Sequence, residues 1–467
     1  MIVCKPMPLI RIFFLVFYVL LLLFMCGIIG IYNNSNNIID CLNKLQHRGK
    51  DGVGIAMNTK TGNIILEKKL GTLEENKDIL LDTINKTNPN IVIGHVRYST
   101  RTSNEYTNEL QPIMSNKIAI AHNGNIPNVE NYKHDTLYIL NYIENNIDTI
   151  PFHEILINLI NSIHSAYSLV LIYDNCLYAL RDRYGIRPLC YGKTSNDSYY
   201  VSSESIAIED RVSSICEVKP GQIIKINASG IEEIYNHPHA QQSLCAFELI
   251  YFMNPDSRIL GTYVRTYREN LGIILAKKDK HNFSPKDHVV CGVPSSGIVA
   301  AESYAKYLKL PYEQFILKTN KTTNGSDRTF ILPTQQSRIE AINKKFIFIE
   351  EAIKDKNIII VDDTIVRGNI MKGIIKKLKD YGAKTIHVRI PAPRVIDICQ
   401  LGIAIHSKEE LIAYNKNMNE IKNELNCDSL LYLETSDLDF FPKESYMECF
   451  GVHQPSINLS TKYTLDR

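Results

Sequence analysis

The sequence has 467 residues, of which 45% are hydrophobic and 22% are charged. This composition is close to the globular average and excludes a largely disordered chain, while the length favours two or three domains. The 52 basic and 50 acidic residues leave a formal charge of +2, which excludes the strongly basic surface typical of nucleic-acid-binding proteins. We therefore expect a folded protein of at least two domains with no nucleic-acid partner.

Eleven cysteines are scattered along the chain, and none forms a CxxC pair. An odd number with irregular spacing is a poor disulfide framework, and it is also unlike a zinc site. The pattern favours a reducing compartment, so we expect the protein to be cytoplasmic.

The N-terminus departs from this picture. The run from Ile12 to Phe24 is apolar and follows Lys5 and Arg11, which is typical of a signal peptide or a short membrane anchor. The run continues without a small-residue spacer into Cys26. We expect residues 1–25 to be a removable leader or an upstream-start extension, with a membrane contact only if this segment is retained.

From Cys26 to about residue 240, short β-like runs alternate with Asn, Gly and Asp turns. We predict strands over 27–32, 118–121, 169–173, 199–202 and 223–226, and helices over 38–45, 137–143 and 152–164. The expected α+β fold is an αββα sandwich, in which antiparallel sheets lie between helical layers.

The second half has the rhythm of a parallel α/β fold, in which buried strands are continuous apolar runs. We predict strands over 289–293, 312–316, 357–361 and 385–390, and helices over 298–308 and 370–381. The expected fold is a doubly wound parallel sheet. The polar segment 236–243 predicts a domain boundary, with domains over 26–240 and 241–467 and a helical tail at the C-terminus.

The first group of motifs begins at Cys26. A thiol that attacks a carboxamide needs a base, and a cysteine at a free N-terminus has one in its own α-amino group, whose pKa is about 8. The segments MCGIIGIY, LQHRGKDGVGIA, GHVRYSTRTS and AHNGNI follow one another in this order. In wording and spacing they resemble the glutamine amidotransferase domain of the N-terminal nucleophile family.

This resemblance implies a role for each matching residue. Cys26 would be the nucleophile, and its own amine would be the base. The side-chain amide of Asn123 and the backbone N–H of Gly124 would form the oxyanion hole. Arg97 would bind the glutamine α-carboxylate in a bidentate pair, and Asp135 of HDTLYIL would hold the substrate amine.

The second group of motifs is an apolar strand followed by an acidic pair and a small polar loop. Adjacent carboxylates at the end of a strand can accept hydrogen bonds from ribose hydroxyls, while loop N–H groups and a helix dipole bind a phosphate. The string VDDTIVRGN resembles the loop of phosphoribosyltransferases that binds phosphoribosyl pyrophosphate (PRPP). The PRPP-binding residues that this resemblance implies are Asp362, Asp363, Thr364, Ile365, Val366, Arg367, Gly368 and Asn369.

Two further segments complete the expected PRPP pocket. The string GVPSSG resembles the pyrophosphate-binding loop and implies contacts from Ser295, Ser296 and Gly297. The segment 318–338 resembles the flexible loop that closes over PRPP, in which Lys318 and Arg328 could neutralise the leaving pyrophosphate.

A magnesium ion is expected together with PRPP. It would be held largely by substrate oxygens and water, because Mg²⁺ keeps much of its hydration and needs few protein ligands. The implied protein contacts are Asp362 and Asp363 through PRPP, and more weakly Ser295.

One branch of the family also carries an iron–sulfur cluster bound by four cysteines. Cys245 and Cys399 match two of those ligands, and Cys427 and Cys449 are the remaining candidates. The C-terminal CxxC that completes the set is missing, so the sequence does not favour a cluster.

The collinear resemblance from Cys26 to Leu433 is to the amidophosphoribosyltransferase family. It implies hydrolysis of glutamine and transfer of the ammonia to PRPP, giving phosphoribosylamine for purine synthesis. It also implies a homo-oligomer, commonly a tetramer, that purine nucleotides inhibit.

Three alternative functions share some of these motifs. Glucosamine-6-phosphate synthase shares the glutaminase segment, but DDTIVRG argues against it, and the ATP-pyrophosphatase loop of asparagine synthetase is not found. The remaining alternative is a catalytically silent PRPP-binding or regulatory protein, in which an unprocessed leader keeps Cys26 internal.

Overall fold

The computed structural model describes residues 26–98, 109–127, 129, 132–319, 345–399, 401, 407–454 and 457. Its strands are β1 (Gly27–Tyr32), β2 (Gly52–Asn58), β3 (Ile64–Leu70), β4 (Ile91–Arg97), β5 (Ile113–Met114), β6 (Ile118–Asn125), β7 (Ala166–Tyr173), β8 (Cys176–Arg181), β9 (Cys190–Lys193), β10 (Tyr199–Ser202), β11 (Ser214–Glu217), β12 (Gln222–Asn227), β13 (Gly230–Asn236), β14 (Arg258–Ile259), β15 (Thr262–Tyr263), β16 (His288–Gly292), β17 (Ile316–Lys318), β18 (Phe346–Phe348), β19 (Asn357–Val361), β20 (Thr385–Ile390) and β21 (Ser429–Tyr432).

The α-helices of the described residues are α1 (Ile38–Leu45), α2 (Leu73–Thr87), α3 (Asp135–Asn146), α4 (Phe152–Ser162), α5 (Val264–Lys278), α6 (Ile298–Leu308), α7 (Glu350–Ile353), α8 (Asn369–Asp380) and α9 (Met418–Leu425). A π-helical turn spans Glu248–Phe252. In the part of the chain that the structure describes, no helix is long and apolar enough to cross a membrane. The apolar run 12–24 lies outside that part.

The N-terminal half is a four-layer sandwich. A seven-stranded sheet in the order β11-β9-β10-β1-β4-β2-β3 packs on a six-stranded sheet in the order β13-β12-β8-β7-β6-β5. Side chains alternate across each strand: Ile28 of β1 packs between the sheets, whereas Ile29 and Ile31 pack under α1 and α2. Helices α3 and α4 cover the other sheet. The αββα arrangement predicted from the sequence is confirmed.

The C-terminal half contains a four-stranded parallel sheet in the order β16-β19-β20-β21. Strands β16 and β19 are largely apolar and buried, as is typical of a sheet with helices on its faces. Because the strands are parallel, the loops that follow β16 and β19 lie at the same edge of the sheet. The predicted parallel α/β fold is confirmed, and both candidate PRPP loops meet at this edge.

The two halves pack closely at their boundary. Tyr184 and Ile186, from the N-terminal half, belong to the same buried hydrophobic cluster as Leu244 and Phe247. Strand β13 ends at Asn236, and the next helical turn begins at Glu248. A part of the N-terminal half therefore shares the hydrophobic core of the C-terminal half.

Two features differ from the sequence predictions. The strand predicted over 312–316 is wrong, because Tyr312 makes only one bridge to Val290 before the chain leaves the parallel sheet. The strand instead spans Ile316–Lys318 and pairs antiparallel with β18. The second feature is the helical tail predicted at the C-terminus. After β21, the helical elements of the described residues are short 3₁₀ turns, Thr435–Leu438 and Glu448–Phe450.

Candidate active site

Cys26 lies at the start of the central strand β1. The register of β1 against β4 places Gly27 opposite Val96, which brings Cys26 beside Arg97. The backbone nitrogen of Cys26 lies 3.3 Å from Oδ1 of Asn123. Burial raises the pKa of the Cys26 thiol, although the Tyr98 backbone and Arg97 oppose that shift. The thiol therefore stays protonated near neutral pH and needs a base to react.

Asn123 and Gly124 lie near the end of β6, in the opposite sheet from Cys26. Asn123 is fully buried, and its Nδ2 has no hydrogen-bond partner among the described residues. A Cβ at Gly124 would lie 2.1 Å from the carbonyl oxygen of Ala166, so only glycine fits there. An unpaired buried donor costs free energy, and a substrate oxyanion would satisfy it.

Arg97 and Asp135 supply opposite charges near Cys26. Arg97 ends β4 and forms an ion pair with Glu109. Asp135 begins α3, accepts a hydrogen bond from the Ile126 N–H at 3.2 Å and lies 3.7 Å from Nδ1 of His122. Burial alone would raise the pKa of Asp135, but His122 and the Ile126 N–H lower it to about 2. The two charges are complementary to the carboxylate and ammonium groups of an α-amino acid.

Arg48, Glu204 and Glu248, to which the sequence motifs assigned no role, form a buried ion-pair network next to Cys26. Arg48 donates from Nε to the Cys26 carbonyl at 2.9 Å. Its terminal nitrogens bind the carboxylates of Glu204 and Glu248. One signal was present in the sequence: Glu248 is a charged residue inside the apolar segment CAFELIYF, and buried charges are found with a partner.

The acidic pair lies where the PRPP motif predicted it. Asp362 and Asp363 follow β19 and are 8% and 6% exposed. The neighbouring loop approaches closely, because Ser296 Oγ donates to Asp363 Oδ1 at 2.5 Å. A Cβ at Gly297 would lie 2.7 Å from the carbonyl oxygen of Val361. Glycine at this position lets the two loops meet.

Among the described residues, neither carboxylate of the acidic pair forms an ion pair, and the nearby Lys345 opposes the rise in the pKa of Asp362 only in part. Burial, and then Asp363, raise the pKa of Asp362 well above its ordinary value. Asp363 itself accepts hydrogen bonds from Ser296 and from the Thr364 hydroxyl, the latter at 2.7 Å. A ligand with hydroxyl donors or an accompanying cation would stabilise the ionised pair.

The loop after the pair presents backbone donors. We find no hydrogen bond from the backbone N–H groups of Thr364, Ile365, Val366 or Gly368 to another described residue. Gly368 has a φ of 80° and precedes Asn369, the first residue of α8. Unpaired N–H groups at a helix N-terminus form an anion site.

The other residues predicted to bind PRPP differ in their surroundings. Lys318 ends β17 and lines the cavity described below. Arg367 also lines that cavity, but its Nε donates to Glu410 at 2.8 Å. Ser295 lines the cavity too. Arg328 lies outside the described residues.

Residues from both halves line one cavity of about 480 Å³, and Cys26 lies just outside this lining. Its wall contains Arg48 and Tyr98 from the N-terminal half, together with Asp362 and Asp363 from the C-terminal half. Cys26 contacts this wall through the hydrogen bond from Arg48 Nε to its carbonyl. The candidate thiol site and the candidate PRPP site are therefore neighbours across the domain boundary.

Of the four cysteines considered for an iron–sulfur cluster, Cys245, Cys399 and Cys449 are buried near one another, and Cys427 is also buried. Cys245 forms a bridge with Tyr446, and the Cys449 carbonyl accepts from the Ile396 N–H at 2.9 Å, close to Cys399. Burial raises the pKa of Cys245 to about 12. Over the described ranges, no three His, Cys, Asp or Glu side chains are arranged to hold a metal ion. The view that a cluster is not favoured stays a prediction.

Comparisons with known proteins match both halves. Residues 95–210 match the family model of a glutamine amidotransferase domain, and residues 268–420 match that of a phosphoribosyl transferase domain. The amidophosphoribosyltransferase of Methanothermobacter thermautotrophicus is 34% identical, with 91% of each chain covered. That of Pyrococcus horikoshii is 35% identical, covering 87% of this chain and 91% of the relative.

Solved structures give the same result. The B. subtilis glutamine PRPP amidotransferase, complexed with ADP and GMP, is 29% identical and superposes with a TM-score of 0.80, covering 92% of this chain and 97% of that one. An allosteric regulatory enzyme of purine biosynthesis, also 29% identical, gives 0.81 over 94% and 98%. The resemblance stated from the sequence is confirmed: the chain belongs to the amidophosphoribosyltransferase family.

Proposed function

We propose that the chain hydrolyses glutamine at Cys26 and transfers the ammonia to PRPP, giving phosphoribosylamine, glutamate and pyrophosphate. The observation that carries this proposal is the cavity shared by Arg48 and Tyr98, beside Cys26, and by the acidic pair Asp362 and Asp363. Ammonia is a nucleophile only while it is unprotonated. A passage closed to bulk water between the two sites would preserve it.

The glutaminase reaction begins with a free α-amino group on Cys26, after residues 1–25 are removed. This amine takes the thiol proton, and the sulfur attacks the carboxamide carbon of glutamine. Asn123 Nδ2, which lacks a partner among the described residues, and the Gly124 N–H donate to the oxyanion. The protonated amine then gives its proton to the departing ammonia, and water hydrolyses the thioester to glutamate.

Arg97 and Asp135 orient the glutamine. The guanidinium binds the substrate α-carboxylate, for which Glu109 must first release it. Asp135, whose pKa of about 2 keeps it ionised, binds the α-ammonium group. Holding both ends of the amino acid places the carboxamide against the thiol, which lowers the entropic cost of the attack.

The phosphoribosyl reaction uses the loops at the edge of the parallel sheet. Asp362 and Asp363 accept hydrogen bonds from the ribose hydroxyls, and the N–H groups from Thr364 to Gly368 bind the 5′-phosphate. The 295–297 loop and Lys318 hold the pyrophosphate, with Arg328 as a further cation. Ammonia attacks the anomeric carbon, the bond to pyrophosphate breaks, and the amine formed loses a proton.

The acidic pair also fits a magnesium ion that arrives with PRPP. Asp362 and Asp363 are two buried carboxylates without an ion pair among the described residues, which suits an ion held mostly by substrate oxygens and water. Ser295 is a weaker contact. When bound, the ion would neutralise charge on the leaving pyrophosphate.

Further properties are proposed by analogy with the relatives. The B. subtilis structure is a complex with ADP and GMP, which supports nucleotide binding here, and we propose that purine nucleotides inhibit the chain. We also propose a homo-oligomer, a cytoplasmic location, and domains over 26–240 and 241–467, the first ending in the polar segment after β13.

The experiment that tests the proposal is a mass measurement of the mature N-terminus, combined with assays for glutamate and pyrophosphate. A chain that begins at Cys26 should form both products from glutamine and PRPP. The silent alternative predicts an intact leader and no glutaminase activity. An intact leader in purified protein that nevertheless hydrolyses glutamine would contradict the role of the Cys26 amine.

A further inference from the structure

A buried ion pair joins the segment around Cys26 to the phosphoribosyl half. Arg48 donates from Nε to the Cys26 carbonyl at 2.9 Å. Its two terminal nitrogens lie 3.1 and 3.2 Å from the two carboxylate oxygens of Glu248. Neither side chain is exposed. Since Arg48 precedes β2 and Glu248 begins the π-helical turn of the other half, one guanidinium spans the domain boundary.

The charges of this network balance one another. Arg48 and Arg187 face Glu204 and Glu248, with Arg187 Nη1 3.5 Å from Glu248 and His47 Nε2 2.9 Å from Glu204. Burial alone would lower the pKa of Arg48, but Glu248 and Glu204 raise it. Arg48 therefore remains charged, and loss of Glu248 would leave the two buried guanidinium groups of Arg48 and Arg187 with Glu204 as the one remaining carboxylate of this network.

The turn that carries Glu248 is fixed at both ends. Arg268 of α5 donates to the Leu249 carbonyl at 2.9 Å and to the Met253 carbonyl at 2.7 Å. Residues 251–253 line the cavity that also contains Asp363. The carboxylate of Glu248 is thus presented to Arg48 from a rigid element rather than from a loop, which is what precise positioning requires.

We propose that Glu248 is a positioning residue for glutamine hydrolysis: it holds Arg48 so that the Arg48 Nε–H fixes the carbonyl of Cys26. Fixing that carbonyl sets the orientation of the Cys26 thiol and amine toward Asn123. Glu248 touches neither Cys26 nor the glutamine pocket, and it comes from the half that binds the other substrate. This inference rests on the proposed function, because it assumes that Cys26 is the nucleophile.

Glu248→Gln tests the proposal in the full processed chain, because it removes the charge while keeping the size. Misplacing the nucleophile should lower kcat for glutamine hydrolysis about tenfold to a hundredfold. The KM for glutamine should change by less than about threefold, because Glu248 does not contact the substrate. Ammonia-dependent phosphoribosylamine formation should stay within about twofold of wild type. Glu302→Gln, on the exposed face of α6, is the matched control and should change neither activity.

Arg48→Lys is the second variant. It keeps a cation for Glu248 but cannot donate from Nε, so the same selective loss of kcat is expected even if Glu248→Gln fails to fold. Glutaminase at wild-type level in either folded variant, or a parallel fall of both activities, would overturn the proposal. Aggregation of both variants would also overturn it, by assigning the network to stability alone. A processed wild-type chain without glutaminase would instead refute the proposed function.

Discussion

The backbone nitrogen of Cys26 and Oδ1 of Asn123 lie 3.3 Å apart. Because the Asn123 oxygen faces this nitrogen, Nδ2 is the end of the amide that remains for a ligand, and it has no partner among the described residues. One buried side chain therefore orients the group proposed as the base and also supplies a donor for the oxyanion.

Asn123→Ala should remove that donor. We expect kcat for glutamine hydrolysis to fall about 10²- to 10³-fold, as is typical when one oxyanion donor is lost. Steady-state glutaminase assays check this, with exposed Asn196→Ala as the control. Ammonia-dependent synthesis should persist. Glutaminase activity close to wild type in Asn123→Ala would show that another group stabilises the oxyanion.

Asp362→Asn combined with Asp363→Asn should abolish PRPP-dependent release of pyrophosphate. The pair is buried and follows β19, and neutral amides would lose the charge that binds ribose hydroxyls and Mg²⁺. Glutamine hydrolysis should remain measurable, because Cys26 lies in the other half. Asp380→Asn, which alters an exposed aspartate of α8, is the control. Unchanged synthase activity in the double variant would refute the assignment.

The raised pKa of Asp362 predicts how the stability of the PRPP-free protein depends on pH. The folded state keeps the Asp362 proton above the ordinary pKa of 3.8, so it binds more protons there than the unfolded state. Stability from this group is fully present below 3.8 and is lost as pH rises through the folded pKa.

Urea unfolding at a series of pH values measures this loss. In Asp363→Asn the neighbouring charge is gone, so the pKa of Asp362 should move toward 3.8. The total loss of unfolding free energy as pH rises should therefore be smaller than in wild type. Parallel declines in wild type and Asp363→Asn would contradict the coupling of the two carboxylates.

Glu109→Gln should strengthen glutamine binding. Glu109 pairs with Arg97, so the substrate carboxylate must displace it. The two side chains are only 11% and 13% exposed, so the pair is a largely buried, charge-assisted contact. Without the competing carboxylate the KM for glutamine should fall, by about tenfold for each 1.4 kcal/mol of pairing that is removed. Initial-rate measurements over a range of glutamine concentrations check this. A rise in KM would mean that Glu109 orients Arg97 instead of competing with the substrate.

The sequence predicted where short contiguous motifs would lie in the fold. Asp362 and Asp363 directly follow the apolar strand β19, and Asn123 and Gly124 lie near the end of β6. The roles of these four residues were implied by the family resemblance and stay predictions. Strand Asn357–Val361 was predicted with its correct ends, because loop residues follow it directly.

Contacts between distant segments could not be predicted in this way. Arg48 and Glu248 are separated by 200 residues, and no local pattern states which buried charge meets which. The strand predicted over 312–316 failed similarly, since the pairing of Ile316 with Phe348 decides where it begins.

The central claim is that a free Cys26 amine and a PRPP site act together in one chain. The most direct measurement incubates protein that begins at Cys26 with glutamine, PRPP and Mg²⁺, and quantifies glutamate and pyrophosphate. Equal amounts of both are predicted, and Cys26→Ser should form pyrophosphate only when ammonium is supplied. If the processed protein forms neither product, the claim is contradicted.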